Sequence, residues 1–421
     1  MSIKNISLPQ PVAQRFSPHL EAIRGFAALL VVWHHAVSFP RTLDPHYTVQ
    51  GFWAYMAPSH FSVLLFFVLS GYVIGLTNPR PLTTTTIPQY LRKRLVRIYP
   101  IYAVCMLLAV LVGWGQGYSW ATVIGNFTFL QIAVTPIIHE NSPAWSLHFE
   151  VLYYLLFVPV SFFRLPALLV LGVSLAIGIG SLLVQPAHPL LASYGLGFTF
   201  WMAGLTLAHY ADTLPTKQPT YQLLLAFLLL FASFRGFDAP ETMLRMVANS
   251  LIGTRLEQAH GHSYASMLAF RDLAWLPYAV LGIMVFAHKS FRFQRRLLSL
   301  AFLLPAFTFW HIAETWPAVD WATFGLGSLF YLLAVICFFV RIPPLEPWAR
   351  HCISGLGKVG GISYGLYIVH FPLLQLMARL DFFAGSALTF WTRFVVLLIV
   401  ALLAAYGLEK KFQPWVRTRW A

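Results

Sequence analysis

Apolar stretches of near-membrane length recur along the whole chain, and no other feature limits its folding so strongly. They fall at 19–39, 60–77, 98–115, 145–163, 165–184, 193–210, 219–234, 273–288, 297–313, 321–340, 359–378 and 388–408. About 20 apolar residues in a helix cross a bilayer. Lipid offers the backbone no hydrogen bonds, so only helices or a closed barrel can span it. The stretches lack the alternation of barrel strands. Only 10% of the 421 residues are charged, whereas soluble proteins carry about 25%. The chain reads as an all-α, polytopic transmembrane bundle of about 10–12 spans.

Charge orients the bundle. Cations gather after every second stretch, at Arg92, Lys93, Arg94 and Arg97, at Lys289–Arg296, at Arg341–Lys358 and at Lys410–Arg419. Such a bias marks the cytoplasmic side and puts both termini there. It also accounts for the net charge of +14 without a nucleic-acid partner. The expected organisation is a cytoplasmic segment 1–18 without a cleavable signal, a membrane domain 19–414 and a cytoplasmic tail 415–421. The charge-balanced segment 235–272 reads as an ordered, partly helical extracytoplasmic loop. Segment 116–142 is too interrupted for a span. Cys105, Cys337 and Cys352 are too scattered for a disulfide framework or a metal site.

Ionisable groups inside spans are costly and are functional candidates by default. Arg24 and His35 share the first stretch. They are eleven residues apart, about 16 Å along nearly one helix face. His34 points about 100° away. Arg94 and Arg97 stand at i and i+3, one face of the third helix at its cytoplasmic mouth. Their planar forks suit phosphate oxygens. In the second stretch, Ser70 and Gly71 lie mid-span, where helix packing through small residues competes with a role in admitting a thin substrate. In 143–154, Ser146 and Glu150 share a face below the outer surface, while His148 points elsewhere and reads as interfacial. Counted from opposite surfaces, His35 and Glu150 reach matching depths, about 22 Å and 23 Å from the cytoplasmic side. A carboxylate beside a histidine orients and strengthens a general base. Tyr364, Tyr367 and His370 form a polar stripe at spacing three, a packing stripe or part of a site.

These pieces together resemble the acyltransferase-3 family. The resemblance covers 19 to about 414. It rests on Arg24 and His35, on Ser70-Gly71-Tyr72, on Arg94 and Arg97, on Trp145-Ser146-Leu147 with Glu150, on Ile362 to His370, and on Glu409 and Pro414. Family members move acyl groups, usually acetyl, onto hydroxyls of cell-surface carbohydrates and some small molecules. The resemblance implies a bacterial inner-membrane enzyme with acyl-CoA, acetyl-CoA above all, as donor substrate and no permanent cofactor or metal. Its partners would be a carbohydrate or glycoside acceptor and the membrane lipids. Arg24, Arg94, Arg97, Ser70, Gly71 and Tyr72 would hold the donor. Trp145, Ser146, Tyr364, Tyr367 and His370 would face the acceptor. His35, oriented by Glu150, would be the base, with an acyl-histidine intermediate as the mechanistic alternative. A secondary transporter relaying protons through buried Arg, Glu and His is the rival class, but inverted repeats, its usual signature, are not visible. A sensor or scaffold without chemistry is a further rival.

Overall fold

The computed structural model describes residues 17–39, 41–184, 189–256 and 267–420. Most of the expected N-terminal segment and residues 257–266 of the expected loop lie outside the described residues. The helices that carry the architecture are α1 (His19–Ser38), α2 (Ser59–Thr77), α3 (Ile87–Val112), α4 (Trp145–Phe162) and α5 (Ala167–Val184). They continue with α6 (Pro189–Tyr210), α7 (Tyr221–Ser233), α8 (Ala239–Ile252), α9 (Leu276–Phe286) and α10 (Gln294–Leu303). The last are α11 (Trp321–Phe339), α12 (Leu345–Gly360), α13 (Ser363–Ala378) and α14 (Ala387–Tyr406).

Among the described residues the fold is all-helical, without β-strands. Nine helices there are long and apolar enough to cross a membrane, or ten if α12 and α13, bent by 73° at their joint, count as one span. Two of the twelve apolar stretches are too short to be spans. Stretches 219–234 and 273–288 form α7 and α9, of 13 and 11 residues. Both are shorter than the roughly 17–25 residues that span. Within 235–272, the described part holds α8 and a short 3₁₀ turn at Phe270–Trp275.

Two crossings set the geometry of the interior. A Cβ at Gly71 of α2 would collide with the Trp201 carbonyl of α6, and one at Gly204 of α6 with the Val68 carbonyl of α2. Likewise, a Cβ at Gly25 of α1 would strike the Leu356 carbonyl of α12, and one at Gly360 the Glu21 carbonyl. Glycine at these points lets helix backbones touch, the packing that works best where lipid supplies no hydrophobic drive between helices. The outermost span is α5, whose Leu168, Leu169, Val173 and Val184 are exposed, as lipid-facing side chains should be.

At the end of the bundle where α1 stops, two buried charged groups tie the connections together. Arg393 of α14 donates to the carbonyls of Leu43, Met377, Leu380, Phe382 and Phe383. Asp44 accepts from the N–H groups of His46 and Gly385, at 3.0 and 2.9 Å, and from Thr389 Oγ1 at 2.7 Å. Each ties several backbone groups of the surrounding connections to α14 or to the start of the loop after α1.

Candidate active site

A cavity of about 870 Å³ opens among α1, α2, α3, α4 and α13. Its mouth is cationic because three segments converge there: the first turns of α1, the arginine run of α3 and the C-terminal tail. Arg24, Arg92, Lys93, Arg94, Arg97 and Arg417 line it, with Glu21 and Glu150 as the only carboxylates among the lining residues. Glu21 pairs with Arg24 at 3.1 Å. Arg94 lies against the rings of Tyr90 and Tyr154, 5.8 and 6.0 Å from their centres. Its Nε is buried without a hydrogen-bond partner among the described residues. Six cations around one opening, one with an unmet donor, suit an anion with several oxygens better than they suit each other.

Further in, the wall is polar, with Glu150 at its centre. Glu150 Oε1 accepts from Tyr154 OH at 2.5 Å and from Ser70 Oγ at 3.3 Å. Ser70 in turn accepts from Trp201 Nε1 at 3.3 Å. Beyond Glu150, Ser146 Oγ and Tyr367 OH are 2.8 Å apart, and Tyr367 OH donates to the Pro143 carbonyl at 3.0 Å. Tyr364 OH donates to the Ile98 carbonyl at 2.9 Å. The two tyrosines thus tie α13 to α3 and to the start of α4 while their rings border the cavity.

One turn past Tyr367 on α13 stands His370, with the two ring centres 6.3 Å apart. His370 Nε2 is 2.8 Å from His35 Nδ1. His370 is fully buried, whereas His35 keeps partial exposure. His34 turns away and donates from Nδ1 to the Ala57 carbonyl at 2.8 Å.

The structure thus brings Arg24, Arg94, Arg97, Ser70, Ser146, Glu150, Tyr364 and Tyr367 onto one cavity wall, whereas His35 and His370 pair with each other one turn beyond Tyr367, outside the lining of that cavity. Four of the expected features stand elsewhere in the fold. The hydrogen-bond partner of His35 is His370, not Glu150, because the Glu150 side chain turns to α2 and its own helix, where Ser70 and Tyr154 hold it. Gly71 and Tyr72 face α6 and the core rather than the cavity: Gly71 is the helix crossing, and Tyr72 is fully buried. Trp145 packs edge-on against Phe149, 5.6 Å between ring centres, off the cavity wall. His148 is buried rather than interfacial, held at 2.5 Å by the Phe129 carbonyl and at 2.6 Å by Tyr194 OH. Tyr154 and Arg417 were not singled out from the sequence. Tyr154 had a signal, since it lies at i+4 from Glu150 and must share its face. Arg417 had none, because its approach depends on how the C-terminal tail folds back.

A family model described as "Acyltransferase domain", of the acyltransferase-3 type, matches residues 18–410. The chain is 36% identical over 91 residues to "Protein 2 in picA locus" of Rhizobium radiobacter, covering 21% of this chain and 41% of that protein. It is 28% identical over 157 residues to "Acyltransferase MdmB" of Streptomyces mycarofaciens, covering 33% of this chain and 38% of that protein. These matches therefore span about two fifths of each curated relative. No solved structure matches the chain.

Proposed function

Because this chain belongs to the acyltransferase-3 family of multi-pass membrane acyltransferases, we propose that it moves an acetyl group from cytoplasmic acetyl-CoA to a hydroxyl of an extracytoplasmic carbohydrate or glycoside. The membrane is the bacterial inner membrane, with both termini and the cationic mouth on the cytoplasmic side. The phosphates of the donor dock on Arg94 and Arg97, aided by Arg24, and the thin pantetheine arm runs past Ser70 and Glu150. The thioester comes to rest beside Tyr367, next to the histidine pair.

In the reaction, His35 takes the proton of the acceptor hydroxyl as its oxygen attacks the thioester carbonyl. The new C–O bond forms, the C–S bond breaks, and the electron pair leaves on the CoA sulfur. The imidazolium then returns the proton to that thiolate, so CoA leaves as the thiol. The hydroxyls of Ser146, Tyr364 and Tyr367 border the reaction space as positioning groups.

The observation that carries this reading is continuity: one cavity runs from six cations to Tyr367, whose neighbour on α13 is the hydrogen-bond partner of His35. The test is transfer of label from radioactive acetyl-CoA by the protein in nanodiscs to a panel of surface glycans and small glycosides. Label should reach one acceptor class and be lost in His35→Ala. Transfer that survives in His35→Ala at the original rate would sink the proposal.

A further inference from the structure

A histidine can serve as a base only through the nitrogen that lacks a proton, and the hydrogen-bond partners of the ring fix which nitrogen that is. Here the neighbours decide it. His370 Nδ1 lies 3.1 Å from the carbonyl oxygen of Leu366, one turn earlier on α13. A carbonyl can only accept, so Nδ1 of His370 carries the hydrogen. A neutral imidazole has one N–H, so Nε2 of His370 is left with a lone pair. That lone pair faces His35 Nδ1 at 2.8 Å, and for the bond to exist His35 Nδ1 must donate. The ring planes lie within 13° of parallel, as they should when an in-plane N–H meets an in-plane lone pair. The proton of neutral His35 is therefore spoken for, and its Nε2 is bare.

From this chain of contacts we infer that His370 is a positioning residue that fixes His35 in the Nδ1–H tautomer and leaves Nε2 as the atom that takes the acceptor's proton. The inference rests on the reading of His35 as the base. The helix carbonyl of Leu366 sets His370, His370 sets His35, and the direction of both bonds follows from one backbone oxygen. When His35 Nε2 gains the acceptor's proton, the bond to His370 stays in place, because Nδ1–H still donates and the lone pair of His370 still accepts. The pair therefore holds before and after proton transfer without either ring turning.

Neighbouring rings keep the geometry. Phe371 meets His35 edge to face at 5.1 Å and Phe39 lies at 5.8 Å, so the imidazole is walled on its apolar faces. His34 belongs to a separate bond with the Ala57 carbonyl and takes no part in the relay.

The test uses three substitutions at 370 that separate hydrogen bonding from packing. Gln offers an amide oxygen to accept from His35 and an amide N–H for Leu366. Lys offers donors only, and Leu offers neither. The site is fully buried, so a residue that merely filled space would favour Leu. His370→Gln should keep kcat within about tenfold, whereas His370→Leu and His370→Lys should lose about 10²–10⁴-fold. KM for acetyl-CoA should stay within about twofold in all three, because the cationic mouth that holds the donor's phosphates is untouched. Leu as active as Gln, or a loss appearing in KM rather than kcat, would overturn the inference. A second measurement needs no turnover: ¹⁵N spectra of histidine-labelled protein in bilayers at neutral pH, with His35 assigned by difference against His35→Asn. Protonated Nδ1 and bare Nε2 are expected in the wild type, and the reverse tautomer overturns the relay. Full transfer by His35→Ala would remove the base reading itself, whereas an inactive His35→Ala beside a fully active His370→Leu would remove only the role of His370.

Discussion

Arg94 and Arg97 sit three residues apart on α3, and both border the cavity mouth. If they hold donor phosphates, each alanine variant loses a charge-assisted contact of about 1.5–3 kcal/mol. Isothermal titration with acetyl-CoA or CoA should show that weakening for Arg94→Ala and Arg97→Ala, with thermal stability little changed. Lysine should recover only part of it, having no fork. Unchanged affinity in both alanine variants would leave these arginines as topology signals only. The adjacent histidines give a sharper contrast. His35→Ala should abolish transfer while CoA binding persists, whereas His34→Ala should remain active, since His34 is engaged with the Ala57 carbonyl. An essential His34 beside a dispensable His35 would reverse the assignment. At this scale much could be read from the sequence: spacing alone put Arg24 and His35 on one face and joined Arg94 to Arg97. The partner of His35 could not be read the same way. Depth along a helix axis follows from residue counting, but the direction of a side chain around another helix does not. Counting put Glu150 at the depth of His35, and only the packing of α4 on α2 decides that Glu150 belongs to Ser70.

Helix crossings explain another limit. Leu224, Phe227, Leu230 and Phe231 of α7, like Ala279, Ile283 and Phe286 of α9, are fully buried in protein. Hydropathy registers their apolarity but cannot tell a helix buried by other helices from one facing lipid, so two short interior helices read as spans. The small-residue reading of Ser70-Gly71, in contrast, was legible and divides in two, with Ser70 on the cavity and Gly71 on α6. Gly71→Leu should therefore fail as a packing change. Forcing a side chain into a backbone contact costs about 1–3 kcal/mol or more, and it should appear as a lower melting temperature of purified protein before any effect on CoA affinity is considered. An unshifted melting temperature would contradict the tight α2–α6 contact. Arg393 offers the complementary case. Arg393→Met removes a donor from five carbonyls, of which Met377 keeps the Leu380 N–H; each one left unpaired costs about 1–3 kcal/mol when buried, and expression of folded protein should fall sharply.

Across the whole molecule, orientation and acid stability can be measured directly. Cys105 and Cys337 are buried, so an impermeant thiol reagent meets only the partly exposed Cys352 as background. In a Cys352→Ser background, Arg245→Cys on the exposed side of α8 should label from outside intact cells. Labelling only after the cytoplasmic face is opened would invert the topology. Burial pushes the Asp44 carboxyl up, but the Thr389 hydroxyl, the His46 and Gly385 N–H groups and nearby Arg393 outweigh it and hold it below the usual carboxylate range. A depressed folded-state pKa gives stability that is complete above the unfolded value of about 3.9 and is lost as pH falls through the folded value. Wild type should thus be more stable than Asp44→Asn at neutral pH, and the gap should close as the pH falls below the unfolded value and through the lower folded one. A gap that stays constant into acid would show that Asp44 contributes nothing through ionisation. The contact at Gly71 has a further consequence. Ser70, which touches the cavity, is bonded to the residue that touches the α6 backbone, so the α2 wall cannot retreat without parting two helices in contact. It acts as the fixed jaw of a caliper. A bulkier acyl donor must be accommodated by α3 or α13, and chain-length preference should respond to substitutions on those helices while remaining indifferent to the lipid-facing side of α5.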